Sequence, residues 1–285
     1  MSMHVPRIFT GLVDDAAVFP PGSAELPDAI TAHRGHQAAW YAGLVGPFLL
    51  PASEIRAARQ LVRPGDELEI GLIGDTGVAA LPAAVEALPT DRLRLRQVEV
   101  AVAKRGEDPQ PGLRALLTAL AGWPKISGYA EVPLTWGLLA ALDSLAEARA
   151  SGADIAAKFR TGGLAAELFP TPVELAAVIC ACRDRALPFK LTAGLHHAIR
   201  DVDPETGFTH HGFLNVLSAT IISADGAEVA EVAELLATTD AARLIEPARI
   251  QAGADRPLWV GFGSCSIADP LTDLVRLGLI DGGFA

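Results

Sequence analysis

The chain has 285 residues, half of them hydrophobic and a fifth charged. These figures exclude a disordered chain and are within reach of a single large domain spanning 1–285. Lys plus Arg number 23 against 34 Asp plus Glu, for a net charge of −11. That excess of acid repels nucleic-acid phosphate and argues against a nucleic-acid partner.

Three cysteines supply neither a disulfide framework nor a zinc set, which points to a reducing, cytoplasmic setting. No apolar run reaches the ~20 residues of a membrane span. The opening MSMHVPRIFTG lacks the basic region and apolar core of a signal peptide. The expected partner is a small-molecule substrate rather than nucleic acid or membrane, and association into a homo-oligomer is compatible with the composition.

In chain order, short apolar runs alternate with helical stretches. The pattern predicts strands at 8–13, 44–50, 67–73, 93–102, 125–132, 154–160, 188–193 and 257–262. Helices are predicted at 27–40, 52–62, 78–88, 112–122, 135–150, 171–186, 211–237 and 269–279. Thr171, Pro172 and Glu174 form an N-cap, first-turn proline and capping-box carboxylate, and Asp269 followed by Pro270 suggests the start of the last helix.

About eight βα units with strands buried on both faces imply an α/β fold with a parallel sheet, and units of this size close into a (β/α)8 TIM barrel. The connection between the seventh and eighth strands, at about 195–255, is enlarged. It opens with LHHAIRDVDPETGFTHHG, a polar, turn-rich and histidine-bearing stretch suited to a lid over the barrel mouth.

In a barrel, polar residues at the C-terminal ends of strands converge on one site. Here these are Asp14 and Asp15, Glu99, Glu131, Lys158 and Arg160, Lys190 and Thr192, and Ser264, Cys265 and Ser266. Strand alternation puts Lys158 and Arg160 on one side with Phe159 opposite, and pairs Lys190 with Thr192. Two interior lysines on adjacent strands have a chemical reason to coexist. A cation beside a buried amine favours its neutral form, which is the form that attacks a carbonyl. The alternative is that each lysine pairs with Glu99 or Glu131 and braces the barrel.

Several segments together resemble deoxyribose-phosphate aldolase, a class I aldolase family. Val-Asp-Asp-Ala-Ala-Val-Phe-Pro at 13–20 is similar to that family's first-strand Ile-Asp-His-Thr-x-Leu-x-Pro. Gln-Val-Glu-Val at 97–100 resembles its Glu-x-Asp-Met, with Glu99 at the aspartate position, and Tyr-Ala-Glu-Val at 129–132 resembles its Ile-Glu-Thr segment. Ser-Gly-Ala-Asp at 151–154 followed by Lys-Phe-Arg-Thr-Gly at 158–162 is similar to Ala-Gly-Ala-Asp…Lys-Thr-Ser-Thr-Gly, with one extra residue between the halves. Phe-Lys-Leu-Thr-Ala-Gly at 189–194 resembles Phe-Lys-Pro-Ala-Gly-Gly, and Gly-Phe-Gly-Ser-Cys-Ser at 261–266 resembles the Gly-Thr/Ala-Ser-Ser segment.

The resemblance implies a barrel lyase that forms or cleaves a carbon–carbon bond through a Schiff base at Lys158. Lys190 would be the cation that lowers its pKa, and Glu99 would stand at the proton-handling position. Substrate would be held by Asp14, Glu131, Arg160, Thr192, Gly194, His196, Gly263 and Ser264. Such chemistry calls for no metal and no cofactor.

Three departures bear on the substrate. Phe159 and Arg160 replace two small residues beside the lysine, so Arg160 either receives an anionic group bidentately or pairs with Glu131. The Gly-Gly that helps hold phosphate becomes Gly194-Leu195-His196, while Gly263 and Ser264 retain the other half of that cradle. Deoxyribose phosphate is therefore not the expected substrate.

His33 and His36 read as solvated residues of the first helix. His196, His197, His210 and His211 lie in the enlarged connection, each adjacent pair offering one inward residue. Cys265, ahead of the last helix, suits either small-residue packing or a thiol of lowered pKa served by a histidine. The competing readings are a metal-dependent barrel isomerase or hydrolase using these histidines, and a catalytically silent barrel binding a small anion or a partner protein. No Gly-rich nucleotide-binding fingerprint is present.

Overall fold

The computed structural model describes residues 5–89 and 91–282. In chain order the elements are β1 (Val13–Asp15), α1 (Leu26–Ala38), β2 (Val45–Pro51), α2 (Ile55–Leu61), β3 (Leu68–Ile73), α3 (Leu81–Glu86), β4 (Leu93–Ala101) and α4 (Gln110–Leu120). Then come β5 (Ser127–Glu131), α5 (Leu138–Ala150), β6 (Ile155–Arg160), α6 (Pro172–Arg183) and β7 (Phe189–Thr192). The rest are β8 (Asp201–Val202), β9 (Thr209–His210), α7 (Phe213–Ala224), α8 (Val229–Ala237), α9 (Ala241–Ile250), β10 (Trp259–Ser264) and α10 (Ala268–Arg276).

Strands β1 to β7 and β10 close into an eight-stranded parallel barrel in the order β1-β10-β7-β6-β5-β4-β3-β2, a (β/α)8 TIM barrel. The small antiparallel ribbon β8–β9 stands apart from it. Among the described residues no helix is long and apolar enough to cross a membrane.

Alternation along the strands sorts the side chains. Val98 and Val100 on β4, Ala157 and Phe159 on β6, and Phe189 and Leu191 on β7 are buried in the layer between barrel and helices. Residues between them, Glu99, Lys158 and Lys190, point into the barrel. Lys158 and Lys190 are direct partners in the β6–β7 register, and Arg160 is paired with Thr192.

Helix α6 begins as its sequence suggests. Thr171 Oγ1 accepts from the Glu174 backbone, and the Glu174 carboxylate accepts from the Thr171 backbone. Helix α10 begins differently: it starts at Ala268 after Ile267, which offers no side-chain cap, and Ser266 Oγ, one residue earlier, accepts from the Asp269 backbone at 3.2 Å.

Three other expectations need correction. The run 8–13 is not the first strand. Arg7–Phe9 is a short 3-10 turn, and Ile8, Phe9 and Leu12 are buried; the Phe9 and Leu12 amides close turns, while the Ile8 amide donates to the Ala252 carbonyl. Burial of consecutive apolar residues reads the same from sequence whether the backbone is extended or turned. The helix expected at 211–237 is two helices, because Gly226 at φ +98° ends α7 and turns the chain back. The segment before β10 also contains α9, whose helical pattern is interrupted by the internal Pro247.

The three helices α7, α8 and α9 pack outside the barrel, and one buried side chain joins α7 and α8 to the chain that enters the ribbon. Asn215 on α7 donates to the carbonyls of Leu235 and Thr238 at 2.7 and 2.8 Å, and its oxygen accepts from the Arg200 backbone at 2.8 Å. Asn215→Ala leaves those buried groups without partners, at about 1–3 kcal/mol for each that water cannot reach. Urea unfolding should show that loss, and amide exchange over 200–212 should accelerate more than in the barrel strands.

Candidate active site

Glu99 on β4 lies at the centre of the barrel and is 1 % exposed. Its Oε1 accepts from Lys190 Nζ at 2.6 Å, and its Oε2 lies 2.9 Å from Lys158 Nζ. Lys190 also binds Asp14 of β1, and Lys158 also contacts Glu131 of β5 at 3.0 Å. Arg160 closes the chain on Glu131 Oε1 at 3.1 Å. Three carboxylates thus face three cations, in alternation from β1 across to β6.

Two residues that the sequence reading did not single out complete this floor. Gln97, two positions before Glu99 and so on the same face, donates to Asp14 Oδ2 at 2.6 Å and Glu99 Oε1 at 2.7 Å. Its amide keeps two buried carboxylates from repelling one another directly. Tyr129 places its ring 4.8 Å from Lys190 Nζ, a cation–π contact. Strand period could have found Gln97, and Tyr129 is the direct register partner of Glu99 on β5. The space for Asp14 depends on Gly46, since a Cβ there would overlap Asp14 Oδ1.

The two lysines are held differently. Lys190 is 1 % exposed, with directed hydrogen bonds to Asp14 and Glu99. Lys158 borders a cavity of about 560 Å³ at the barrel mouth, and its ammonium meets Glu99 Oε2 at 2.9 Å. Lys158 is the amine that a molecule in the cavity can reach.

Arg160, Thr192, Gly194, His196, Gly263 and Glu131 also line that cavity. Ser264 does not join the ion-paired floor: it is buried, and its Oγ accepts from the Ser266 backbone at 3.3 Å. Beyond β7 the chain takes two left-handed residues, Ala193 at φ +63° and Gly194 at φ +76°. A Cβ at Gly194 would press on the Thr161 carbonyl at 2.8 Å, so glycine is required by both space and backbone angle. This bend sends Leu195 into the core and brings His196 over the cavity.

The electrostatics correct the expectation of a neutral resting Lys158. Burial disfavours its charge, but Glu99 and Glu131 outweigh burial, so its pKa lies above the ordinary lysine value. Lys190 is raised for the same reason: Asp14 and Glu99 overcome the cost of burial. Burial would raise Glu99 and Glu131, yet the cations beside them lower both. Asp14, fully buried and close to Glu99, is raised despite Lys190. The resting site therefore carries two ammonium groups.

His33 is not solvated. It is fully buried, with Nδ1 2.9 Å from Asp15 Oδ2 and Nε2 3.0 Å from the Gln37 amide. Asp15 thus faces α1 rather than the barrel centre. His36 is half-buried against the Tyr41 hydroxyl. His197, exposed, meets Asp273, and His211, buried, meets the Pro170 carbonyl; burial pushes His211 down to about 4.

His196 and His210 reach the cavity, with ring centroids 6.2 Å apart. Among the described residues no three His, Cys, Asp or Glu side chains group as a metal site. Cys265 lies 3.8 Å from His196 Nδ1, but burial raises its thiol pKa instead of lowering it, and α10 begins only at Ala268.

No protein-family model matches this sequence, and no curated protein is significantly similar to it.

Two outcomes follow from the ion-paired floor. Lys190→Met leaves Asp14 and Glu99 buried with one cation removed, and breaking a buried pair in this way costs about 3–5 kcal/mol. Lys190→Met combined with Asp14→Asn should recover much of that loss in urea unfolding. The second concerns acid. Because Glu99 has a depressed pKa in the fold, its contribution is present above the ordinary ~4.3 and is lost as pH falls through the folded value. Thermal unfolding scanned below that pH should show a shallower acid decline in Glu99→Gln than in the parent.

Proposed function

We propose that the protein is a lyase of the class I aldolase type, making or breaking a carbon–carbon bond through a Schiff base at Lys158. The observation that carries this reading is the shared Glu99. One lysine is locked below the cavity by directed hydrogen bonds, and the other contacts the same carboxylate while its amine borders the cavity. A purely structural brace has no need of a second lysine at the cavity surface. The arrangement also fits the segments that resemble deoxyribose-phosphate aldolase, which put Lys158, Lys190 and Glu99 in these roles.

For the amine to act, Lys158 must first give up a proton. The neutral amine then adds to a carbonyl carbon, a proton moves to the carbinolamine oxygen, and water leaves as the imine forms. The imine nitrogen draws electrons from the adjacent carbon. A carboxylate that can exchange a proton at that carbon completes the step, and Glu99 and Glu131 stand within 3.0 Å of the lysine nitrogen. Lys190 competes for Glu99 and so limits how firmly Glu99 can hold the Lys158 proton. Arg160 does the same for Glu131.

Borohydride reduction in the presence of a panel of small aldehydes, ketones and keto acids, read by mass spectrometry, tests the proposal. Trapping should occur on Lys158, vanish in Lys158→Met, and speed up as pH rises, because deprotonation is uphill at neutral pH. Glu131→Gln removes one of the two carboxylates that hold the proton, so it should trap faster at pH 7. Lys190→Met with Asp14→Asn leaves Glu99 wholly to Lys158, so it should trap more slowly at pH 7 and recover in alkali. An adduct on Lys190, or pH-independent losses throughout, would refute the assignment.

A further inference from the structure

Barrel enzymes commonly hold a phosphate between the loops after the seventh and eighth strands and a helix N-terminus. Here that region is less suited to an anion. Leu195, where a second glycine would open the backbone, is buried in the core. After β10 the Ser266 backbone donates to Ser264 Oγ, and the Asp269 backbone donates to Ser266 Oγ. The Asp269 carboxylate occupies the first turn of α10, where it competes with any anion for the positive helix end. The cations that border the cavity, Lys158 and Arg160, sit at its floor and are tied to Glu131.

The walls above that floor are apolar. Phe19 comes from the loop after β1, Leu49 from β2, Ile73 from β3, and Leu164 and Phe169 from the loop after β6. The ribbon adds Phe208, whose ring lies 4.8 Å from that of Phe169 at 35°, and His210 meets Phe169 edge-on at 5.1 Å. His196 and His210 are the imidazoles facing the cavity. Burial, reinforced by His210, lowers the pKa of His196, which therefore carries no charge for an anion at neutral pH. Leu164 is 94 % exposed at this rim, an apolar side chain with no protein partner of its own.

We infer that the carbonyl substrate of this site bears an aromatic or branched aliphatic group, received between Phe169, Phe208 and Leu164, and carries no phosphate. The inference rests on the reading of Lys158 as the imine-forming amine and adds the chemistry of the rest of the substrate. The cavity, at about 560 Å³, falls within the range of small-ligand sites and is larger than a three-carbon carbonyl compound requires. The carbonyl reaches the polar floor and the apolar group remains in the mouth, under the ribbon.

Two probes separate this inference from the one beneath it. 2-Phenylethanol has no carbonyl and cannot form an imine, so its binding, followed by ligand-observed NMR titration, reports the apolar wall alone. It should bind with its ring protons in closest contact, while sn-glycerol 3-phosphate and inorganic phosphate should not bind. Phe208→Ala should weaken 2-phenylethanol about two- to tenfold, the size of one aromatic contact. Leu164→Asp alters an exposed side chain, leaves the fold untouched and should weaken it as well. Phenylacetaldehyde with borohydride then reports Lys158 itself.

Binding of 2-phenylethanol without any trapping would overturn the Schiff-base reading and leave the apolar site standing. Trapping confined to phosphorylated aldehydes, tighter binding of glycerol phosphate, no binding of 2-phenylethanol, or binding indifferent to both substitutions would each overturn the inference.

Discussion

Glu99 sits between two ammonium groups, and much of the barrel interior is arranged so that this carboxylate can stay ionised there. A lone buried carboxylate is costly, and it remains charged only when cations and hydrogen-bond donors surround it. Lys158 of β6, Lys190 of β7 and Gln97 of β4 itself supply them, and the two lysines bring in Glu131 and Asp14, with Arg160 beyond Glu131. The strand register is therefore fixed twice, by backbone ladders and by charge alternation. A slip of one residue on β4, β6 or β7 would turn a charge into the apolar layer between barrel and helices.

The same alternation explains why the site is asymmetric. Directed bonds hold Lys190 on two carboxylates at the closed end, whereas Lys158 meets two carboxylates at the open end beside a cavity. Burial alone would favour neutral amines, but the acids prevail and both lysines rest charged. Making Lys158 neutral would accordingly mean relocating one proton within a network that is otherwise balanced. Arg160 is paired with Glu131, the second of the two roles its position allows, so it regulates that network before it meets any ligand.

Much of this was legible in the residues. Strand alternation placed Lys158 with Arg160 and Lys190 with Thr192, and short apolar runs separated by helical stretches implied the closed barrel. What was not legible has physical causes. The run at 8–13 is buried in turns, which a hydrophobicity pattern cannot distinguish from a strand. His33 lies on the inner side of α1 because Asp15 faces it, a contact between residues eighteen apart that periodicity does not reveal. The resting protonation of Lys158 depends on which of two opposing effects is larger, and that needs the distances to Glu99 and Glu131. Gln97 and Tyr129 escaped notice because neither residue type announces chemistry until it is seen against a buried charge.

The helices α7, α8 and α9 and the ribbon β8–β9 come from one continuous stretch of chain between β7 and β10, and Asn215 ties the chain entering the ribbon to α7 and α8 from outside the barrel. Phe208 and His210 therefore owe their position over the cavity to a scaffold that shares no residue with the charged floor. The charged floor and the part of the cavity wall made by the ribbon thus come from separate segments. Insertions, deletions or recombination within 195–255 could reshape what the cavity admits while Asp14, Glu99, Lys158 and Lys190 stay unchanged, and relatives of this chain should differ most in that stretch.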